Sequence, residues 1–185
     1  DQKMANQKNS FFSTKKLATM AVFAAISIIL VMIVHLPIFP AVTFLEYDPA
    51  DIPILLATFM FGPLSGIIMT IVVSLIQGLT VSAGSGAYGI IMHIIATSVY
   101  VLVAGLIYKK YHTLKGAVCS LAIGTAAMAL VMIPANLFIT PLFLGVAREQ
   151  VVALLGWIIG FNVIKAGING ILCFVIYKPL RRILK

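Results

Sequence analysis

Residues 44–53, Phe-Leu-Glu-Tyr-Asp-Pro-Ala-Asp-Ile-Pro, form an acidic stretch between two long apolar runs. The stretch holds Glu46, Asp48 and Asp51, three of the five acidic residues in the chain. Asp48 is predicted to cap a helix, with Pro49 at the first helical position and Asp51 near the positive end of the helix dipole. Capping does not account for Glu46. The stretch is therefore either an ordinary helix start or a polar loop that closes a ligand pocket at the mouth of a helix bundle.

The rest of the chain has the composition of a membrane protein. Hydrophobic residues make up 62% of it and charged residues 10%, and the mean hydropathy is +1.13. A soluble domain carries about 25% charged residues. With 185 residues, the chain has room for about six spans of roughly 20 residues each. The predicted fold is an all-α membrane protein with six transmembrane helices in a compact bundle.

Breaks in the apolar sequence place these six spans. They are predicted at residues 17–35, 50–61, 64–81, 87–108, 116–140 and 151–177. The first span ends before Pro37, and Gly62-Pro63 separates the second from the third. The second is expected to be short or tilted. The predicted organisation is a lead of residues 1–16, a six-helix transmembrane domain of residues 17–178 and a basic tail of residues 179–185.

The basic residues predict the orientation of the spans. Eleven of the 13 Lys and Arg residues lie in the amino-terminal lead, in the 109–115 connection and in the carboxyl-terminal segment from Lys178 onward. By the positive-inside rule these three segments, and with them both termini, are cytoplasmic. The net charge of +8 therefore reflects membrane orientation, and no nucleic-acid partner is predicted.

One cation, Lys165, falls inside the last predicted span. It lies too far from either end for its ammonium to reach water, and leaving it unpaired in lipid costs at least about 2.5–3.5 kcal/mol. Asn162, Lys165 and Asn169 share one helix face. Two interpretations are open: an internal network in which Lys165 pairs with Glu46 or with backbone carbonyls, or a ligand site lined by this face and capped by the 44–51 loop.

Other polar groups within the spans are also open to two interpretations. Gln77 either bonds a neighbouring helix or contacts a ligand. Asn136 either satisfies the carbonyl freed by Pro134 or faces a cavity. Ala21 and Ala25 form a small-xxx-small pair that serves close helix approach, either within this bundle or with a partner.

An intramembrane enzyme is the alternative from a different class. Ser65 and His93 could supply a nucleophile and a base, but Ser65 falls at a predicted cytoplasmic turn. Cys119 and Cys173 lie in apolar stretches without metal-ligand spacing. No catalytic residue and no metal site is predicted.

Several of these features together resemble a known family. Residues 45–53, the Phe-Gly-Pro turn at 61–63, the Ala21/Ala25 pair and the Asn162/Lys165 face are similar to those of the substrate-binding S components of energy-coupling factor (ECF) transporters. The resemblance covers residues 11–185 and is strongest to the riboflavin-specific members.

The resemblance implies a multi-pass protein of the bacterial plasma membrane that captures riboflavin from outside with high affinity. The pocket under the first extracellular loop would be lined by Leu45, Glu46, Tyr47, Asn136, Asn162, Lys165 and Asn169. Ala21 and Ala25 would dock a transmembrane coupling protein, which works with two cytoplasmic ATPase subunits. Riboflavin is then cargo and not a cofactor, and ATP is used by the partners. A different vitamin remains an alternative.

Overall fold

The computed structural model describes residues 13–183, and within them it contains six α-helices. These are α1 (Thr14–Ile33), α2 (Asp51–Phe61), α3 (Pro63–Leu79), α4 (Gly86–Lys110), α5 (Leu114–Leu144) and α6 (Arg148–Ile183). Each helix contains most of one predicted span. α1 starts within the predicted lead, and α6 continues into the predicted tail. Residues 1–12 of that lead and 184–185 of that tail lie outside the described residues.

A small hairpin folds the connection between α1 and α2 back on itself. Its strands are β1 (Leu36–Pro37) and β2 (Glu46–Tyr47), which pair antiparallel with Leu36 opposite Tyr47. A 3-10 turn at Pro40–Val42 lies between the strands. Its Val42 packs against the first turns of α6, so the hairpin is held against the end of the bundle.

α2 is the innermost helix of the bundle. It contacts α1, α3, α4 and α6, and all its residues from Asp51 to Phe59 are buried. A helix that is apolar around its whole circumference has no polar face to turn outward, so it packs on every side. At 11 residues α2 is also short, as its sequence predicts.

The turn from α2 to α3 explains the Phe-Gly-Pro sequence. Gly62 has a φ of +93°, a conformation that residues with a Cβ rarely adopt. Pro63 then opens α3, where its missing N–H costs no helical hydrogen bond. The chain thus reverses within one residue.

The predicted start of the second helix is partly wrong. The helix begins at Asp51, Ala50 is its cap residue, and Pro49 precedes it. Asp48 does not bond the first turn: its Oδ1 accepts a hydrogen bond from the Ala50 N–H at 3.0 Å. Asp48 thus shapes the loop before the helix, and its second oxygen is free for other contacts.

The outer surface of the bundle is apolar. Four helices, α1, α4, α5 and α6, are long and apolar enough to cross a membrane, and α2 and α3 are shorter apolar helices. Large exposed side chains such as Ile33, Leu79 and Leu142 face outward. An apolar surface of this extent suits lipid and not water.

Candidate ligand-binding site

The buried lysine has a carboxylate partner. Lys165 Nζ donates to Asp48 Oδ2 at 2.7 Å, and both side chains are buried. An ion pair of this kind removes the cost of an isolated charge in a low-dielectric interior. The pair also ties the loop before α2 to the middle of α6.

This partner corrects the expected pairing of Lys165 with Glu46. Glu46 Oε2 instead lies 2.7 Å from His35 Nε2, in a half-exposed pair at the hairpin. Glu46 lies in strand β2 and meets His35, whereas Asp48 lies beyond the strand, in the segment that Lys165 and Asn169 of α6 contact. The acid that meets Lys165 is therefore the one in the short segment between the hairpin and α2.

A second buried carboxylate, Asp51, is the first residue of α2. It accepts hydrogen bonds from Thr97 Oγ1 at 2.8 Å and from Asn169 Nδ2 at 3.3 Å, and His93 Nε2 lies 3.3 Å away. Asn169 Nδ2 also donates to the Asp48 carbonyl at 3.1 Å. Asn169 therefore connects α6 to both acids and has a structural role in this network.

Tyr47 belongs to the same network. Its hydroxyl donates to Asn169 Oδ1 at 3.0 Å. Burial, assisted by the negative charge of Asp48, raises the pKa of Tyr47, so its hydroxyl keeps its proton and remains a donor. The hairpin is thus fastened to α6 through Tyr47 and through Asp48.

A cavity opens between this loop and helices α3 to α6. It encloses about 920 Å³ of space, counting its open mouth. Part of its wall is apolar, and the residues there include Phe44, Ile90, Met128, Met132, Phe143 and Phe161. The polar part includes Gln77, His93, Asn136, Thr140, Asn162 and Lys165. A concave apolar site with a few polar groups is typical of small-molecule binding.

The two asparagines of the wall are anchored by their own helices. Asn136 Nδ2 donates to Met132 O, and Asn162 Nδ2 donates to Ile158 O, each at 2.8 Å. Thr140 Oγ1 donates to Asn136 Oδ1 at 2.8 Å. A carboxamide has two N–H donors and an oxygen with two lone pairs. Both asparagines therefore hold a fixed rotamer and keep hydrogen-bonding capacity for a ligand.

The structure brings most of the predicted site residues to one cavity. Leu45, Glu46, Asn136, Asn162 and Lys165 line it. Tyr47 and Asn169 are not on its wall, and they bond each other behind it.

Sequence reasoning missed several residues of the cavity wall. Asp48 was assigned only to capping, and the positions of His35, Ser74 and Ser82 were not predicted. Lys165 requires an acidic partner, and this requirement could have pointed to Asp48 as well as to Glu46. Gln77 bonds the loop and not a neighbouring helix, since its Nε2 lies 3.4 Å from Asp48 Oδ2, and the residue also lines the cavity.

The structure also shows where the alanine pair of α1 and Ser65, the nucleophile of the alternative enzyme interpretation, lie. Ala21 and Ala25 are exposed on α1, so the interpretation that they pack inside the bundle is wrong. Ser65 is buried and donates to Phe61 O at 3.2 Å. Within residues 13–183 no group of three or more His, Cys, Asp or Glu side chains is arranged to hold a metal ion.

The fold and the cavity together define a membrane-embedded protein that binds a small molecule among its helices. The chain belongs to the family described as "ECF transporter, substrate-specific component", whose profile matches residues 15–181. The resemblance drawn from the sequence motifs is confirmed. The protein is accordingly a multi-pass protein of the bacterial cell membrane.

Individual relatives cover nearly the whole chain. The riboflavin transporter RibU of Staphylococcus aureus is 32% identical over 187 residues, which cover 97% of this chain and 97% of that protein. The riboflavin transporter FmnP of Bacillus subtilis is 27% identical and covers 90% of this chain and 92% of its own. A solved structure, an S component of a bacterial ECF transporter, superimposes with a TM-score of 0.83 at 33% identity, over 92% of this chain and 98% of that one.

Proposed function

We propose that this protein is the riboflavin-binding S component of an ECF-type transporter. The observation that carries the proposal is the cavity under the connection between α1 and α2, residues 34–50. Its wall is partly apolar and also presents the polar groups of Asn136, Asn162 and Lys165. Riboflavin has a flat aromatic ring system with a polar edge, and such a wall suits both parts. The relatives named as riboflavin transporters support the same ligand.

The charge of the site fits a neutral ligand. Because Asp48 neutralises Lys165 at 2.7 Å, the site does not need an anionic ligand for charge balance. The ammonium has three N–H donors, so it can donate to a ring carbonyl while it keeps the contact with Asp48. Leu45 and Glu46 close the outer side as part of the loop, and Tyr47 and Asn169 hold that loop in place.

Purified protein tests the ligand directly. An absorption spectrum with a flavin band, or quenching of riboflavin fluorescence on titration, is the expected result. Protein that binds another vitamin and not riboflavin would place it with S components of different specificity. Protein that binds no vitamin and hydrolyses a peptide would instead favour an intramembrane enzyme.

We further propose that all six helices cross the membrane and that both termini are cytoplasmic. Two contacts lie at the end of the bundle that carries the basic residues. Lys16 lies over the Phe61 ring at 5.7 Å, and Arg181 donates to His112 O. At the opposite end His35 meets Ser82 at 3.3 Å. Cysteine labelling of the termini from either side of the membrane tests this topology.

The same proposal includes the energising partners. Residues 17–178 form the substrate-binding domain, and the exposed Ala21 and Ala25 offer a close-packing face to a transmembrane coupling protein. The 185 residues contain no Gly-x-x-x-x-Gly-Lys-Ser/Thr phosphate loop. ATP hydrolysis is therefore assigned to two cytoplasmic ATPase subunits of the complex. Co-purification with these subunits, and loss of uptake without them, are the expected results.

A further inference from the structure

Four ionisable side chains lie together where the connection between α1 and α2 meets the bundle, and we call them the buried charge network. Asp48 and Lys165 form one ion pair in it, and His93 Nε2 lies 3.3 Å from Asp51 Oδ1. Asn169 links the two acids, since its Nδ2 donates to the Asp48 carbonyl and to Asp51 Oδ2. Both acids and the lysine are buried, and the histidine is mostly buried. Uncompensated charge in such a place is costly, so the charges of the network are expected to balance.

Asp51 carries a negative charge. Its Oδ1 accepts from Thr97 Oγ1 at 2.8 Å and its Oδ2 from Asn169 Nδ2 at 3.3 Å, and hydrogen bonds of this kind stabilise an ionised carboxylate. Asp51 is also the first residue of α2, where the positive end of the helix dipole stabilises an anion. Lys165 is already paired with Asp48 at 2.7 Å. The network therefore needs a second positive charge.

Ser74 determines where one proton of the His93 ring lies. The serine oxygen lies 2.6 Å from Thr70 O and 2.6 Å from His93 Nδ1. A carbonyl oxygen can only accept, so the single hydroxyl proton of Ser74 goes to Thr70 O. The serine oxygen is then an acceptor for the ring, and Nδ1 must carry a proton.

The second ring nitrogen of His93 faces Asp51. In a neutral ring with its proton on Nδ1, Nε2 has a lone pair, and this lone pair would lie 3.3 Å from the ionised Asp51 Oδ1. A protonated Nε2 makes the same contact an attractive ion pair, although it is not a straight hydrogen bond. Donor geometry and charge balance thus agree, because a doubly protonated ring supplies the positive charge that balances Asp51.

Within residues 13–183, the helices packed against α4 bring no other charged group to His93. Asp51 is the one charged residue of α2, and α3 has none. The one charged residue of α5, Lys115, lies in its first turn, at the basic end of the bundle. The other titratable groups of the α1–α2 connection have partners of their own; they are His35 and Glu46, which contact each other, and Tyr47, which bonds Asn169.

We propose that His93 is an imidazolium in the folded protein at neutral pH and that its charge positions Asp51. Asp51 accepts from Asn169, and Asn169 in turn accepts from Tyr47 of the hairpin. His93 is therefore a positioning residue, which acts through Asp51 on the connection that covers the cavity. The inference concerns the charge of the protein itself and does not depend on the identity of the ligand.

Nuclear magnetic resonance of the ring nitrogens tests this charge directly. The protein is produced with isotopically labelled histidine and purified through a tag without histidine, as wild type, His35→Gln and His112→Gln. The chain has three histidines, so the signals common to all three samples belong to His93. At about pH 7.5 histidine in water is mostly neutral. Both nitrogens of His93 are nevertheless expected at the frequencies of protonated ring nitrogens.

A neutral ring, in which one nitrogen shows the large shift of a bare lone pair, would overturn the proposal. Asp51→Asn removes the charge that the imidazolium balances, so His93 should become neutral in this variant. Glu46→Gln is the matched control, because it removes the acid that His35 contacts, and it should leave the His93 signals as in wild type. An imidazolium that persists in Asp51→Asn would also overturn the proposal, since its charge would not be tied to Asp51.

Thermal unfolding in detergent tests the positioning role. His93→Gln leaves Asp51 without its counter-charge, so the unfolding midpoint should fall by about 6–20 °C. His35→Gln, in the half-exposed pair with Glu46, is the matched control and should lower it by no more than about 4 °C. The double variant His93→Gln/Asp51→Asn should regain most of the loss, because no buried charge is then left over.

The double variant also decides the case in which His93→Gln alone fails to fold. A double variant that folds supports the ion pair in the same way as a regained midpoint. Losses that add in the double variant would show that His93 contributes through packing, and they would overturn the role of its charge.

Discussion

α1 and α2 are both apolar helices, but most of α1 lies at the surface of the bundle and most of α2 is buried inside it. α1 buries only Met20, Ser27 and Val31, whereas every residue of α2 from Asp51 to Phe59 is buried. Hydropathy therefore predicts that a helix is removed from water, but it does not predict whether lipid or protein surrounds that helix. In lipid, the packing of neighbouring helices decides which apolar helix lies inside.

The two helices also differ in what holds them. The start of α2 is fastened by buried charges, since Asp48 pairs with Lys165 and Asp51 accepts from Thr97 and Asn169. α1 has one buried polar tie to the loop, from Ser27 Oγ to Ala50 O at 2.9 Å. The following predictions test this contrast, from the largest expected effect on stability to the smallest.

Lys165→Met should lower the free energy of unfolding by about 3–5 kcal/mol, because it leaves the Asp48 carboxylate buried without its partner. Riboflavin binding should be lost as well. Thermal unfolding of detergent-solubilised protein and a flavin titration measure the two effects. The double variant Asp48→Asn/Lys165→Met is the control: it should regain most of the stability but not the binding. A single variant as stable as wild type would show that the pair does not hold the loop.

Ala57→Leu should destabilise the protein by about 1–3 kcal/mol, because Ala57 is fully buried in α2 and has no room for a larger side chain. Ala25→Leu is the same substitution on the exposed face of α1 and should change stability by no more than about 0.5 kcal/mol. Thermal unfolding of both variants gives the comparison. Equal effects would remove the contrast between the two helices.

Glu46→Gln should change the free energy of unfolding by about 0–1 kcal/mol, because the His35–Glu46 pair is partly exposed to water. The same thermal unfolding assay measures it. Asp48→Asn, two residues along the loop, is the matched variant and should cost clearly more. A large loss of stability in Glu46→Gln would mean that the hairpin depends on this pair.

Ala21→Leu should have the smallest effect on stability, within about 0.5 kcal/mol, and should leave flavin binding unchanged. Uptake into vesicles that contain the whole transporter should nevertheless be lost, because a larger side chain keeps a partner helix from close approach. Val22→Leu, at an exposed position on another face of α1, is the control and should transport normally. Normal uptake by Ala21→Leu would contradict the docking role.

Much of the fold was readable from local sequence. The apolar runs and their breaks at Pro37, Gly62 and the 82–86 turn predicted helices that the structure contains, since hydropathy and helix termination depend on neighbouring residues. Exact ends were less predictable. α1 and α6 extend beyond their predicted spans, because basic residues at a membrane surface do not stop a helix.

The candidate site was predictable only in part. A cation in the middle of an apolar helix must have a partner, which pointed to Lys165 and its neighbours on the same face. The identity of that partner was not predictable, because Glu46, Asp48 and Asp51 are close in sequence and differ in direction.

The sequence by itself therefore determined the membrane class, the number of apolar segments and the requirement that Lys165 be compensated. These follow from the cost of moving groups out of water, which each residue carries with it. Only the tertiary structure decided that Asp48 and not Glu46 meets the lysine, that Tyr47 and Asn169 bond each other, and that α2 lies inside while α1 does not. These outcomes depend on which groups come within hydrogen-bonding distance across the bundle, and the two partners of the ion pair are 117 residues apart in the chain.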